Sequence, residues 1–366
     1  MPMLRRLKKA LLYAGAGLAL LLLIAFLYGA LLQTEAGRKH LNNEALAHTS
    51  NGWVQGWRLP GHSVFVGIPY AQAPVGALRF AAPQPATAWT GTRQALLPKS
   101  SCAQPAVPEL RVPQSTAEDC LGLNIFKPVN HTGKPLPVML WIHGGGYVLG
   151  SPAQDDILCR RFADTLGITV AAVRYRLAPE HPYPAPLEDC YSALQWLAGL
   201  PAVDPGRIAI GGSSAGGGLA AALALLTRDR AEINPVLQLL VYPMLDDRSV
   251  GRHLDDTGHR LWNATSNRFG WQSYLGAADP EVAVPARRTD LAGLPPAWLG
   301  VGTLDLFHDE DLEYARRLQS AGVPCEVHLV PGAFHGFDGI APKASISRQF
   351  FESQCASLRE RMGAEV

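Results

Sequence analysis

The chain has 366 residues, 48% of them hydrophobic and 17% charged, with 32 Lys and Arg against 31 Asp and Glu. That apolar fraction supports a packed core and excludes intrinsic disorder as the main state, and a net charge of +1 leaves no basic footprint for nucleic-acid phosphates. The 36 Gly and 29 Pro follow no period, which excludes collagen and repeat arrays.

Residues 10–32 are uncharged and mostly apolar, and Arg5, Arg6, Lys8 and Lys9 precede them. At about 1.5 Å per residue, a helix there spans a hydrocarbon core of roughly 30 Å. The basic tail, residues 1–9, then stays in the cytoplasm and the body crosses to the periplasm or exterior. A cleaved signal peptide is the alternative, but its apolar region runs only about 7–15 residues and ends in a small-x-small site. Thr34-Glu35-Ala36 is a poor one, so a single uncleaved transmembrane anchor is expected. Both readings export the body, so its six cysteines face an oxidising compartment. Cys102 and Cys120 bracket a loop rich in Pro and Ser that a bridge would hold. Cys159, Cys190, Cys325 and Cys355 lie among apolar residues and read as buried small hydrophobes. No CxxC or Cys/His cluster offers a zinc pattern. Asn-x-Thr sites stand at Asn130 and Asn263.

Residues 33–50 read as a polar connector, and the folded body takes up residues 51–366. From Trp53 to Phe126 the chain is broken by Gly and Pro, with short apolar runs such as Val64-Phe65-Val66, the signature of short strands and turns. From Pro137 onward, buried-strand runs alternate with helix-like stretches. The strands are Val138–Ile142, Ile168–Val173, Ile208–Ile210, Val236–Val241, Ala297–Val301 and Val327–Val330. The helices are Leu158–Leu166, Leu187–Leu197, Ala215–Leu226, Asp311–Ser320 and Ala344–Arg361. This alternation predicts an α/β fold with a mostly parallel sheet flanked by helices. Residues 246–285 break the rhythm and carry Trp262, Phe269, Trp271 and Tyr274. They read as a cap insertion over the sheet's C-terminal edge, where open α/β sheets bind ligands. Trp262, Phe269 and Trp271 are its candidate pocket residues.

Gly212-Ser213-Ser214-Ala215-Gly216 matches G-x-S-x-G. The pattern alone is weak. Here a strand precedes it and a long Ala/Leu helix follows, which is the strand–turn–helix a nucleophile elbow requires. His143-Gly144-Gly145-Gly146 follows a buried strand, and its glycines leave backbone N–H groups free to face an oxyanion. His143 invites a metal reading, but no second ligand stands at metal spacing. A serine nucleophile needs a base, and the base needs an orienting acid. Asp305 and His335 each follow a late strand, in the order that the hydrolase arrangement demands. Asp309, Glu310 and Asp311 read as the acidic first turn of a helix; His328 falls within a strand and His308 on the surface.

These residues resemble the hormone-sensitive-lipase-like (bacterial family IV) branch of the α/β-hydrolases, from about Pro137 to the C-terminus. The run from Tyr175 to Cys190, the His143–Gly146 motif, Asp305 with Asp309-Glu310, and His335-Gly336-Phe337 carry the resemblance. It implies Ser214 as nucleophile, His335 as general base, Asp305 as its orienting acid, and Gly145, Gly146 and Ala215 as oxyanion donors. Ser213 departs from the family's commonest Asp, which leaves subfamily and substrate open. Residues Phe65–Phe80 and Glu118–Ile125 instead resemble the opening of type-B carboxylesterases. That second resemblance implies a disulfide between Cys102 and Cys120, and sets the usual helical cap of family IV in question. Together they imply a serine carboxylesterase of short- to medium-chain or aryl esters, with no cofactor, no metal and no nucleic-acid partner. An amidase or thioesterase shares the machinery, and a hydrolase-fold binding protein without activity is the rival from another class.

Overall fold

A computed structural model describes residues 44–105, 116–129, 133–251 and 259–364. The basic tail, the apolar run 10–32, most of the connector and Asn130 lie outside these residues. Among the described residues no helix is long and apolar enough to cross a membrane. The chain divides into residues 1–45 and 46–366, and everything below except the first two residues of the first strand belongs to the second unit.

Eleven strands make one sheet: β1 (Glu44–Thr49), β2 (Gly52–Leu59), β3 (His62–Ile68), β4 (Thr92–Gln94), β5 (Gly122–Pro128), β6 (Leu136–Ile142), β7 (Thr169–Arg174), β8 (Val203–Ser213), β9 (Leu237–Val241), β10 (Ala297–Gly302) and β11 (Cys325–Val330). Their order is β1-β2-β3-β5-β7-β6-β8-β9-β10-β11, with β4 on β2. From β7 to β11 every pairing is parallel. The strands β6, β7, β9 and β10 are buried almost end to end. Helices cover both faces of such strands, so they read as continuous apolar runs. On the other side β2–β3, β3–β5 and β5–β7 pair antiparallel, while β4 lies parallel to β2. One strand falls inside the expected connector: β1 takes Glu44–Thr49, whose exposure largely alternates, as it does in a half-buried strand.

Among the described residues six longer helices flank the sheet: α1 (Asp156–Leu166), α2 (Ala185–Ala198), α3 (Ala215–Arg230), α4 (Ala264–Leu275), α5 (His308–Ser320) and α6 (Ser345–Met362). Within 246–285 the described residues form α4, a single helical turn at Pro280–Ala283 and a 3-10 turn at Asp247–Gly251, and a second 3-10 turn, Pro285–Arg287, begins at its end. The Asn263 side chain accepts from the Ser266 N–H at 2.9 Å, so the second sequon asparagine serves as the N-cap of α4.

The N-terminal segment is tied to the Tyr175–Cys190 run. The Tyr70 hydroxyl donates to the Arg174 carbonyl at 2.8 Å, and Arg79 bridges Glu118 and Glu180. Within the run, Arg176 and Asp189 form a bidentate pair at 2.7 and 2.8 Å, both essentially closed to solvent. Arg176 also donates to the Ala81 carbonyl at 2.8 Å. Cys102 and Cys120 are bonded, with their Cα atoms 5.0 Å apart. Cys159, Cys190 and Cys355 are free and buried, as expected, whereas Cys325 is only partly covered, because β11 has one face open to solvent.

Candidate active site

Strand β8 ends at Ser213, α3 begins at Ala215, and Ser214 makes the turn between them at φ 58° and ψ −123°. A side-chain-bearing residue there is strained by roughly 1–3 kcal/mol. Three hydrogen bonds hold it: Ser214 N–H to the Val241 carbonyl at 2.9 Å, and the N–H groups of Met244 and Gly218 to the Ser214 carbonyl at 2.9 and 3.0 Å. The flanking glycines are required by close approach. A Cβ on Gly216 would stand 2.0 Å from the Ile142 carbonyl oxygen, and one on Gly212 2.4 Å from that of Gly216. The helix therefore packs directly on the end of β6, and the Ser214 hydroxyl projects from the tip of the turn.

His335 and Asp305 arrive from the neighbouring strands. Asp305 follows β10 and His335 follows β11. The two loops are stitched together by Thr303 N–H to Val330 O at 3.0 Å, Leu304 N–H to Ala333 O at 2.9 Å and Gly332 N–H to Thr303 Oγ1 at 2.8 Å. His335 Nε2 lies 3.0 Å from Ser214 Oγ, and His335 Nδ1 lies 2.9 Å from Asp305 Oδ2. The second carboxylate oxygen of Asp305 accepts from the Phe307 N–H at 3.0 Å. The imidazole is held edge-to-face between Tyr242 and Phe307, at 4.8 and 5.2 Å between ring centres. All three residues are buried, Ser214 being 8% exposed. A hydroxyl, an imidazole and a carboxylate in this line can pass the hydroxyl proton to the ring and stabilise the resulting cation.

Facing the elbow is the loop after β6. Gly145 and Gly146 take φ of +125° and +60°, and a Cβ on Gly145 would stand 1.9 Å from the Leu149 carbonyl oxygen. The loop closes by Val148 and Leu149 N–H groups on the Gly145 carbonyl, both at 3.1 Å. A Cβ on Gly144 would lie 3.2 Å from that of Ser214, so this loop and the elbow are in direct contact. Ala215 opens α3, so its N–H is one of the unpaired donors at a helix start. His143 is a structural residue. It is buried, stacked on Tyr175 at 4.3 Å, and its Nδ1 lies 2.8 Å from the Gly144 carbonyl. Burial pushes its pKa down to about 3, which keeps the ring neutral.

Of the three cap aromatics singled out from the sequence, Trp262 meets this loop at Gly146 and Trp271 meets it at Tyr147. Trp262 occupies the place that a side chain on Gly146 would take. Trp271 is buried behind Tyr147, 5.3 Å from it between ring centres. Phe269, on the outer face of α4, is 55% exposed.

Glu310 does more than charge the first turn of α5. It is buried and accepts from the N–H groups of Leu245 at 2.8 Å and Asp246 at 3.1 Å and from the Ser249 hydroxyl. It thereby ties the acid loop to the segment that follows β9 and holds the elbow. Burial raises its pKa to about 8 against the pull of those donors. Sequence spacing gave no sign of this role, because the donors lie some sixty residues upstream.

A sequence profile of the α/β-hydrolase fold matches residues 139–339. The chain is 37% identical over 250 residues to the esterase LipI of Mycobacterium tuberculosis, covering 65% of this chain and 78% of that protein. It is 36% identical over 217 residues to the carboxylesterase NlhH of the same organism, covering 56% and 68%. Among solved structures, a bacterial heroin esterase superposes with a TM-score of 0.62 at 39% identity, over 68% of this chain and 82% of that one.

Proposed function

We propose, from the premise that the chain belongs to the α/β-hydrolase fold family and is a carboxylesterase, that Ser214, His335 and Asp305 hydrolyse short- to medium-chain or aryl esters through an acyl-enzyme. The observation that carries this reading is the unbroken line from Ser214 Oγ through the His335 ring to Asp305 Oδ2. Ser214 Oγ attacks the ester carbonyl while His335 Nε2 takes its proton. The carbonyl oxygen, now an anion, lies against the N–H groups of Gly145, Gly146 and Ala215. His335 returns the proton to the leaving alcohol, and a water activated the same way releases the acid. Amides and thioesters react by the same steps; the relatives named above, all esterases, favour esters. The intact line argues against a silent binding protein. The apolar run 10–32 with its basic flank supports a membrane-anchored enzyme whose body faces the periplasm or exterior, and the bond between Cys102 and Cys120 supports an oxidising compartment.

The test is covalent labelling of the full-length chain with a fluorophosphonate. The expected result is one adduct, located by mass spectrometry on the peptide containing Ser214 and absent from Ser214→Ala. A folded wild-type chain that stays unlabelled, or an adduct on another serine, would remove the serine mechanism.

A further inference from the structure

Residues 259–262 run across the site and touch both of its sides. His259 borders a cavity of about 190 Å³ next to the acid loop, lined also by Thr303, Leu304, Asp305 and His308. Leu261, at φ +67° and 62% exposed, brings its Cδ1 to within 3.1 Å of where a Cβ on Gly336 would stand, beside His335. Trp262 goes the other way. Its Cη2 lies 2.0 Å from the position of a Cβ on Gly146, so the indole rests on the loop that faces the elbow. The indole is fixed in place: Nε1 donates to Asn267 Oδ1 at 3.2 Å, and Cζ2 lies 3.3 Å from the position of a Cβ on Gly270 in α4. Two consecutive side chains therefore rest on different loops of the site, Leu261 on the base loop and Trp262 on the loop that faces the elbow.

The chemistry gives those sides different meanings. The leaving oxygen collects its proton from His335 Nε2, so the alcohol part of an ester must lie toward His335. The carbonyl oxygen is taken by the oxyanion donors and the alcohol by the His335 side, which leaves the side away from His335, where the Gly146 loop stands, for the acyl chain. We propose that Trp262 limits the length of the acyl chain and Leu261 bounds the alcohol. The inference rests on the Ser214 mechanism above. The Trp262 ring is rigidly held and blocks firmly. The Leu261 side chain is mostly exposed and yields, so large alcohols are accepted more readily than long acids.

The experiment reads kcat/KM of the full-length chain on two series: p-nitrophenyl esters from acetyl to lauroyl, and acetate esters of alcohols of increasing size. Trp262→Ala is expected to raise the decanoyl-to-acetyl ratio by about tenfold or more, the scale on which a pocket wall sorts chain length, with little change in the alcohol series. Leu261→Ala is expected to shift the alcohol series, and in the acyl series to move all p-nitrophenyl esters together, leaving their chain-length ratios unchanged. Trp262→Phe and Trp262→Leu grade the blockage, so the ratio rises in the order Phe, Leu, Ala among variants that fluorophosphonate still labels at Ser214. A flat or reversed order in labelled variants, or equal movement of both series in Trp262→Ala, overturns the assignment while the mechanism stands. A wild-type chain inert on both series and unlabelled overturns both.

Discussion

Asp305→Asn is expected to lower kcat by about 10⁴-fold while the protein stays folded. The carboxylate has two oxygens with different duties: Oδ1 accepts from the Phe307 N–H at 3.0 Å, and Oδ2 faces His335 Nδ1 at 2.9 Å. An asparagine placed there satisfies Phe307 with its carbonyl oxygen, which turns its NH₂ toward the imidazole. Nδ1 must then accept, so the ring's proton moves to Nε2, the atom that has to take the Ser214 proton. Shape and burial are nearly unchanged, so stability stays close to wild type and the loss falls on the chemical step. The check is kcat on p-nitrophenyl acetate beside a thermal melt. Activity within tenfold of wild type would move the orienting role elsewhere. Asp338 is a rival: it is half-buried, and it accepts from the Tyr242 hydroxyl at 2.8 Å.

Asp189→Ala is expected to destabilise the fold by roughly 3–5 kcal/mol, the range for stranding one partner of a buried ion pair. Asp189 receives three hydrogen bonds from Arg176, from its N–H at 2.9 Å, its Nε at 2.8 Å and its NH2 group at 2.7 Å. Burial pushes the Asp189 carboxyl above the usual range even so, which shows how much the pair gives up in leaving water. Without Asp189 the guanidinium keeps the Ala81 carbonyl and loses its counter-charge. The double variant Arg176→Met/Asp189→Leu removes both charges and should recover most of the loss. Urea unfolding of the three proteins decides it. A single variant within about 0.5 kcal/mol of wild type would mean that water already screens the pair.

Much of the fold was legible because its centre is parallel. Val138–Ile142, Ile168–Val173 and Ala297–Val301 are apolar throughout, which only strands covered on both faces permit. The site was legible because its chemistry is stated in chain order: elbow, then acid, then base, each just past a strand end. The antiparallel edge was harder. Strand β1 has three exposed residues out of six, and β4 is three exposed residues on the β2 edge, so neither has an apolar signature. The cap aromatics were sorted by helical phase, which needed the start of α4 to be known. Trp262 precedes the helix and drops onto Gly146, whereas Phe269 and Trp271, two positions apart, point out and in. Glu310 escaped because an acidic first turn is favourable on any helix, and only its burial against Leu245, Asp246 and Ser249 sets it apart.

The central claim is that Ser214 Oγ is the attacking atom, and the most direct measurement is p-nitrophenyl acetate turnover by the full-length chain beside its Ser214→Ala variant. The account predicts steady hydrolysis by the wild type and a kcat lower by about 10⁴- to 10⁶-fold in the variant, with the same melting behaviour. A folded variant that keeps wild-type turnover would contradict it and place the reaction at another group.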